Sequence, residues 1–319
     1  MESCAQCLKN EFKPENAGLN HEDPSVFVKS QWPFDQRLYV LYRVVVAMGF
    51  IAWIIADVID ETEKFYKDRF WIWFIFATNW SFVLLTLTTI VEAICCTYYC
   101  VAARGLLGKY RYNKQNIDAH YFQSMPIPLK VLWLLYNLAA NTAIVITISY
   151  WSYIFFMEHS KFLMTNMSKM KHMLNTVYVI LDLMIASRPI RIFHMLFPVM
   201  LGSIYAIFNA TYFLNDGTIL DGRHYAYNVL NWNVPAEAIV TCILCIAQTI
   251  FSQIVLYHLV AARVWLHSRF YEPHEQLPEH DSEMQSIMSA DSTTYLATDS
   301  QLDGSSSTAG AITASNNIH

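Results

Sequence analysis

Charge is what this sequence has least of. Of 319 residues only 15% are Asp, Glu, Lys or Arg, while 55% are hydrophobic and 15% aromatic, far from the soluble average of about 25% charged. An ordinary soluble domain is thereby excluded. The basic residues stand mostly at the ends of apolar runs and the long C-terminal tail is acidic, which excludes a nucleic-acid-binding surface. The eleven histidines are scattered, so the clustered boxes of a desaturase-like di-iron site are missing. Internal repeats are absent, and Pro198 alone interrupts an apolar run, which argues against a transporter built from inverted repeats and broken helices. The seven cysteines form no disulfide framework. Cys4-x-x-Cys7 is one isolated pair, too few ligands for a structural zinc site, and no metal or cofactor is expected.

What is present is a series of long apolar runs. A hydrocarbon core about 30 Å thick needs roughly 20 apolar residues per helix. Six runs qualify, at about 38–59, 71–94, 129–154, 172–187, 190–214 and 236–261. The expected fold is an all-α membrane bundle of about six transmembrane helices, with the bilayer as its first partner. The fourth run is short, and only Arg188-Pro189-Ile190-Arg191 parts it from the fifth. Proline cannot continue the helix and arginines favour water, and five spans with a bent hairpin is the alternative count. Residues 1–37 are polar and mixed in charge, without the apolar core of a signal peptide, so the first span is expected to direct insertion. Lys and Arg outside the spans number 12 on the side that holds both termini and 7 on the other. Both termini are therefore expected in the cytoplasm, in the plasma membrane or the endoplasmic reticulum.

Residues 271–319 hold eight acidic residues, no Lys or Arg, and many Ser and Thr. Such a segment buries too little apolar surface to offset its chain entropy and is expected to be disordered. Asn166-Met167-Ser168 is an N-glycosylation sequon on the expected non-cytoplasmic side. Cys95, Cys96 and Cys100, at the cytoplasmic end of the second span, are candidates for reversible acylation, or else small packing residues.

Polar groups inside the spans are expensive, at about 2.5–3.5 kcal/mol for an ionised side chain on insertion scales, so their arrangement carries information. In the second span Thr78, Ser81, Leu85 and Glu92 recur at helical spacing, with Asn79 beside them. In the fourth, His172, Asn175, Val179 and Asp182 do the same, and in the first Arg43 and Asp57 share a face. Depth then pairs them. Arg43 lies about 8 Å inside the cytoplasmic end at 1.5 Å per residue, level with Glu92, and the expected contact is a buried Arg43–Glu92 ion pair. Asp182 and His194, at similar depth, form a polar cluster that could join it. Asp57, Thr78, Asn79 and His172 fall toward the opposite face. Thr, Asn and His in membrane helices mostly bond backbone or tie helices together. For chemistry, Thr78 would need His172 within reach as a base.

Several local patterns resemble the rolling stone-like family of multi-pass membrane proteins, named for an insect protein required in myoblast fusion. They are SQWPFDQRLYVLYR (30–43), ATNWSFVLLTLT (77–88), NTVYVILDLMIASRPIRIFHMLFPVMLGSIYAIF (175–208) and HYAYNVLNWNVP (224–235). That family is in turn similar, more distantly, to androgen-induced and androgen-dependent multi-span proteins that hydrolyse fatty-acid esters of hydroxy fatty acids with an intramembrane Thr and His. On the segment HMLNTVYVILD the resemblance sets His172 at the family's His, and Thr78 falls at or near its Thr.

Two functions follow from these resemblances. The closer one implies a membrane protein of cell–cell fusion or muscle development, whose short outward loops favour a partner within the bilayer. The more distant one implies a lipid-ester hydrolase. There Thr78 would attack the acyl carbonyl and His172 would serve as base, with Asn79 or Asn175 donating to the oxyanion and Asp57 orienting His172.

Overall fold

The computed structural model describes residues 11, 13–67, 69–109, 125–157, 164–219 and 222–271. Cys4, Cys7 and the acidic tail beyond Tyr271 lie outside the described residues. Among those described, six long helices form the body: α1 Gln36–Glu61, α2 Ala77–Lys109, α3 Ile127–Ser149, α4 Asn166–Ile185, α5 Leu196–Leu214 and α6 Pro235–Tyr271. The chain is an all-α membrane bundle.

Four of the helices start on residues that suit the task. The Asp35 carboxylate accepts the Arg37 N–H at 2.7 Å, and the Thr165 hydroxyl accepts the Ser168 N–H at 3.1 Å, so both helices have a side-chain cap. Pro128 and Pro235 occupy first-turn positions, where no amide partner is lost. The helix ends are equally legible. Ala186 turns extended two residues before Arg188-Pro189 and stops α4. Lys67 and Asp216 adopt left-handed backbone just past α1 and α5. Helices α1 and α3 each loosen into a π turn at their ends, Thr62–Tyr66 and Tyr150–Ile154, a feature that tends to accompany functional positions.

Five helices are long and apolar enough to cross a membrane, in segments Gln36–Tyr66, Ala77–Ala102, Ile127–Ile154, Ile192–Leu214 and Pro235–Tyr271. Helix α4 does not qualify by composition, because its 20 residues include Lys169, Lys171 and Asp182. Its length of about 30 Å at 1.5 Å per residue would still suffice, and its polar face is sheltered by the neighbouring helices. The runs at 172–187 and 190–214 form two helices, divided at Ala186–Arg191.

The polarity is inverted relative to a soluble bundle. On α1 the outward residues are Leu38, Val45, Met48, Ile55 and Ile59, whereas Arg43, Asp57 and Glu61 point inward. Around them pack Phe50, Trp73, Phe82, Leu85, Tyr136, Val179 and Leu183. A second apolar group, Phe27, Val28, Tyr39, Cys96, Leu132 and Trp133, sits at the end where α1 begins. That end, expected to be cytoplasmic, is called the inner end below, and the opposite one the outer end.

Residues 18–35 are part of this body. Ser30 and Ala186 form an antiparallel bridge, Gln31 N–H donates to Ile185 O at 2.9 Å, and the Trp32 indole donates to Met184 O at 2.7 Å. The segment thus covers the frayed end of α4, whose last carbonyls would otherwise lack partners.

Candidate functional site

The inner half of the bundle holds a closed ring of charge. Arg43 pairs with Asp182 and, at 2.8 Å, with Glu92; Arg188 pairs with the same two carboxylates. All four side chains are essentially buried. Two guanidiniums face two carboxylates, so the ring is neutral as written. Aromatic faces complete it: Arg188 lies 3.9 Å over the Tyr136 ring and Arg43 lies 4.7 Å over Tyr39, each a cation–π contact. The Arg43–Glu92 pair is therefore present within a larger network. Arg188 departs from the expectation that both turn arginines face water. It bends inward because the unmatched charge of Glu92 and Asp182 lies there, while Arg191 stays at the surface and donates to Gly18 O and Asn20 O at 3.2 and 3.0 Å.

His194 does not join this ring. Its Nε2 lies 3.4 Å from Gly18 O, and its ring packs at 4.7 Å against Trp133. Arg263 of α6 closes the ring from below, donating to the carbonyls of Leu183, Ala186, Ser187 and Arg188. A cation at the C-terminal carbonyls of a helix is the favourable sense of the helix dipole. Cys95, Cys96 and Cys100 are all buried, and Cys95 and Cys96 pack beside Tyr39 and Trp133. An acyl chain on them would require that packing to open.

The outer half holds a second network, centred on a residue that lies one position before the apolar run at 172–187. Lys171 lies in the second turn of α4 and points inward. Its ammonium donates to Asp57 Oδ2 at 2.7 Å, Glu61 Oε1 at 2.8 Å and Asn79 Oδ1 at 2.8 Å, which uses all three of its hydrogens. The Trp73 indole also donates to Asp57 Oδ2, at 3.0 Å, and the Tyr66 hydroxyl donates to Glu61 Oε2 at 3.0 Å. Lys171 could have been found by spacing. Residues 171, 175, 178 and 182 fall on one helical face, the face that carries Asn175 and Asp182.

This network bears directly on the candidate catalytic residues. Asp57 does not orient His172: its Oδ2 accepts from Lys171 and Trp73, and its other oxygen and His172 Nδ1 are both without a partner. Asn79 is also engaged at both ends, accepting from Lys171 and donating to Trp73 O at 2.7 Å. Thr78 places its hydroxyl 3.4 Å from the Tyr227 hydroxyl, not on His172. The His172 ring stacks on Tyr150 at 3.9 Å and 12°, and its Nδ1 has no hydrogen-bond partner; the same holds for Asn175 Oδ1. Asn166 is exposed at the first position of α4, while Ser168 of the same sequon is buried.

Thr78 and His172 do share a wall. Both line a cleft of about 200 Å³ between α2, α3, α5 and α6. Its sides are mainly apolar, with Pro198, Val199 and Ile246 among them. Ser149, one of its polar members, already donates to Gln248 Oε1 at 2.7 Å. A smaller cavity of about 10 Å³ is lined by Glu61, Phe76, Thr78, Asn79, Ser168, Lys171 and His172.

Comparison with known proteins gives a consistent answer. A family model described as Protein rolling stone matches residues 1–274. Protein rolling stone of Drosophila melanogaster is 29% identical over 238 residues, covering 73% of this chain and 82% of the fly protein. No solved structure matches the chain.

Proposed function

The chain belongs to the rolling stone family, and from that premise we propose that it acts in cell–cell fusion during muscle development, as a multi-pass protein of the plasma membrane. The family match over residues 1–274 carries this reading. The described outer connections support a partner within the bilayer rather than an extracellular adhesion domain. On the outer side the described connections are compact turns, such as Phe70–Ile75 and Asn228–Leu230. The outward surface is rich in apolar residues, including Ile55 and Ile59 of α1 and Ile243 and Leu244 of α6, on which lipid or another membrane helix can pack. Removing the protein from fusion-competent muscle precursors should leave cells aligned but unmerged. Re-expression of the wild-type chain, and equally of Thr78→Ala and His172→Ala, should restore merging. Normal fusion without the protein would refute this role.

A second reading, an intramembrane lipid-ester hydrolase, is favoured by one observation: Thr78 and His172 line the same cleft. In that reading the endoplasmic reticulum is an alternative location. The purified protein should then turn over long-chain ester substrates and react with a serine-hydrolase-type probe, and both signals should fall to background in Thr78→Ala and His172→Ala. Equal signals in the double variant would eliminate it.

A further inference from the structure

The two buried networks differ in their charge balance. In the inner ring two arginines meet two carboxylates, Glu92 and Asp182. In the outer network one ammonium, Lys171, meets two carboxylates, Asp57 and Glu61. With both acids ionised the outer site carries one uncompensated negative charge. The other groups facing it bring no cation. Tyr66 comes from the π turn after α1, Trp73 from the turn before α2, Thr78 and Asn79 from α2, and Ser168 and His172 from α4. Lys64, nearby in sequence, is largely exposed and pairs with Asp60 on the surface. Among the described residues Lys171 is the only cation bonded to either acid. An isolated buried charge costs several kcal/mol even after relaxation, and a carboxyl in that position takes up a proton instead.

Two further observations indicate where a proton would sit and how it would travel. Asp57 is fully buried, and its Oδ1 has no hydrogen-bond partner, which leaves one oxygen of the pair unsatisfied. The cavity of about 10 Å³ beside Glu61 is lined by polar groups apart from Phe76 and reaches His172, whose buried Nδ1 is likewise without a partner. A cavity of about 10–15 Å³ with two to four polar neighbours is the size that holds one water. His172 and Thr78 line both this cavity and the larger cleft.

We propose that the Asp57–Glu61–Lys171 network is a proton-binding site: the two carboxyls share one proton at neutral pH, and it exchanges through a water in the small cavity with His172. Lys171 stays an ammonium, so the site is neutral when loaded. On release, the proton leaves a carboxyl oxygen and passes through the cavity water to His172 Nδ1, which becomes an imidazolium, while both carboxyls are left ionised and the acid pair with Lys171 carries one net negative charge. The inference is independent of the fusion and hydrolase readings, since it requires neither a partner nor turnover.

Infrared spectroscopy of the purified full-length protein tests it. The wild-type chain should show one protonated carboxyl C=O band at neutral pH that shifts in D2O. Asp57→Asn and Glu61→Gln should each abolish that band, because a single remaining carboxylate is balanced by Lys171. Glu92→Gln, in the balanced inner ring, should retain it and shows whether the assay responds to any lost acid. His172→Phe, which keeps an aromatic ring against Tyr150, should keep the band but slow its D2O shift at least tenfold. Absence of the band in the wild type, or its persistence in both amide variants, overturns the site. An unchanged exchange rate in His172→Phe overturns the route through His172.

Discussion

The ammonium of Lys171 lies 2.7 Å from Asp57 Oδ2 across 114 residues of sequence. One contact thereby joins the first turns of α4 to the last turns of α1. Because Glu61 and Asn79 accept from the same ammonium, three elements meet at one buried cation, and its geometry leaves no hydrogen unassigned. Four turns away along the bundle the Arg43–Glu92–Asp182–Arg188 ring joins α1, α2, α4 and the α4–α5 connection in the same manner. Helix α4 is thus fixed at both ends by charge as well as by the apolar burial of Val179 and Leu183, which accounts for a crossing-length helix too polar to qualify as a span on its own.

Removing Lys171 should be costly while replacing the whole network should not. Lys171→Met leaves Asp57 and Glu61 without their cation, and breaking a buried pair this way costs about 3–5 kcal/mol. The triple variant Lys171→Met, Asp57→Asn, Glu61→Gln removes the charges together and should recover most of that loss. Thermal unfolding in one detergent, comparing wild type, single and triple variants, measures both. Equal destabilisation by the single and triple variants would mean that Lys171 acts through packing alone.

Arg188 should tolerate neither loss nor a conservative exchange. Arg188→Leu strands Glu92 and Asp182 on one guanidinium, with a cost again of about 3–5 kcal/mol. Arg188→Lys keeps the charge but cannot bridge both carboxylates with a planar fork or stack on Tyr136. The stacking alone is worth about 1–2 kcal/mol when desolvated, so the lysine variant should fall between leucine and wild type in the same unfolding series. A lysine variant as stable as wild type would show that point charge, not shape, is what the ring requires.

Much of this arrangement is legible in the sequence, and the omissions have one cause. Apolar runs locate the helices, and helical spacing puts Thr78, Ser81 and Glu92 on one face and His172, Asn175 and Asp182 on another. Depth along α1 and α2 is sufficient to bring Arg43 and Glu92 together, because two antiparallel neighbours share a scale. What escapes is a cation at the end of an apolar run. Such a residue is ordinarily solvated at the interface, so Lys171 and Arg188 read as loop charges, and Glu61 with them. Burial by the neighbouring helices overrides that default, and a single helix's pattern does not contain its neighbours. The same blindness applies to His172, whose periodicity places it correctly but cannot reveal that Tyr150, not Thr78, occupies its face.

Arg263 should govern the order of the α4–α5 connection more than overall stability. Its guanidinium satisfies carbonyls from Leu183 to Arg188, and those acceptors have no other cation among the described residues. Arg263→Leu should therefore raise amide hydrogen exchange across residues 183–190, at least tenfold for amides now protected by closure of that turn. Exchange in α3 should be unchanged. Arg263→Lys reaches fewer acceptors and should give an intermediate rise; an effect spread evenly over all helices would indicate global loosening instead.

The segment before α1 should behave as a folded strap rather than a free tail. Trp32 donates its indole N–H to Met184 O at 2.7 Å and sets its ring 5.9 Å from that of His267 on α6. Ser187 ties the same turn to Val26 O at 2.6 Å. Trp32→Phe keeps an aromatic ring but deletes the donor, and Ser187→Ala deletes the second tie. Each lost hydrogen bond is worth about 1 kcal/mol net, and the sites share one strand-like contact, so the double variant should exceed the sum of the singles. Limited proteolysis from the inner side should cut within residues 20–34 of the double variant and spare the wild type. Because the strap bonds the Met184 and Ile185 carbonyls, which lie between two that Arg263 engages, its release should accelerate exchange at residues 183–190 as Arg263→Leu does. Cleavage of the wild type at the same rate would show that the strap is not held by these two bonds.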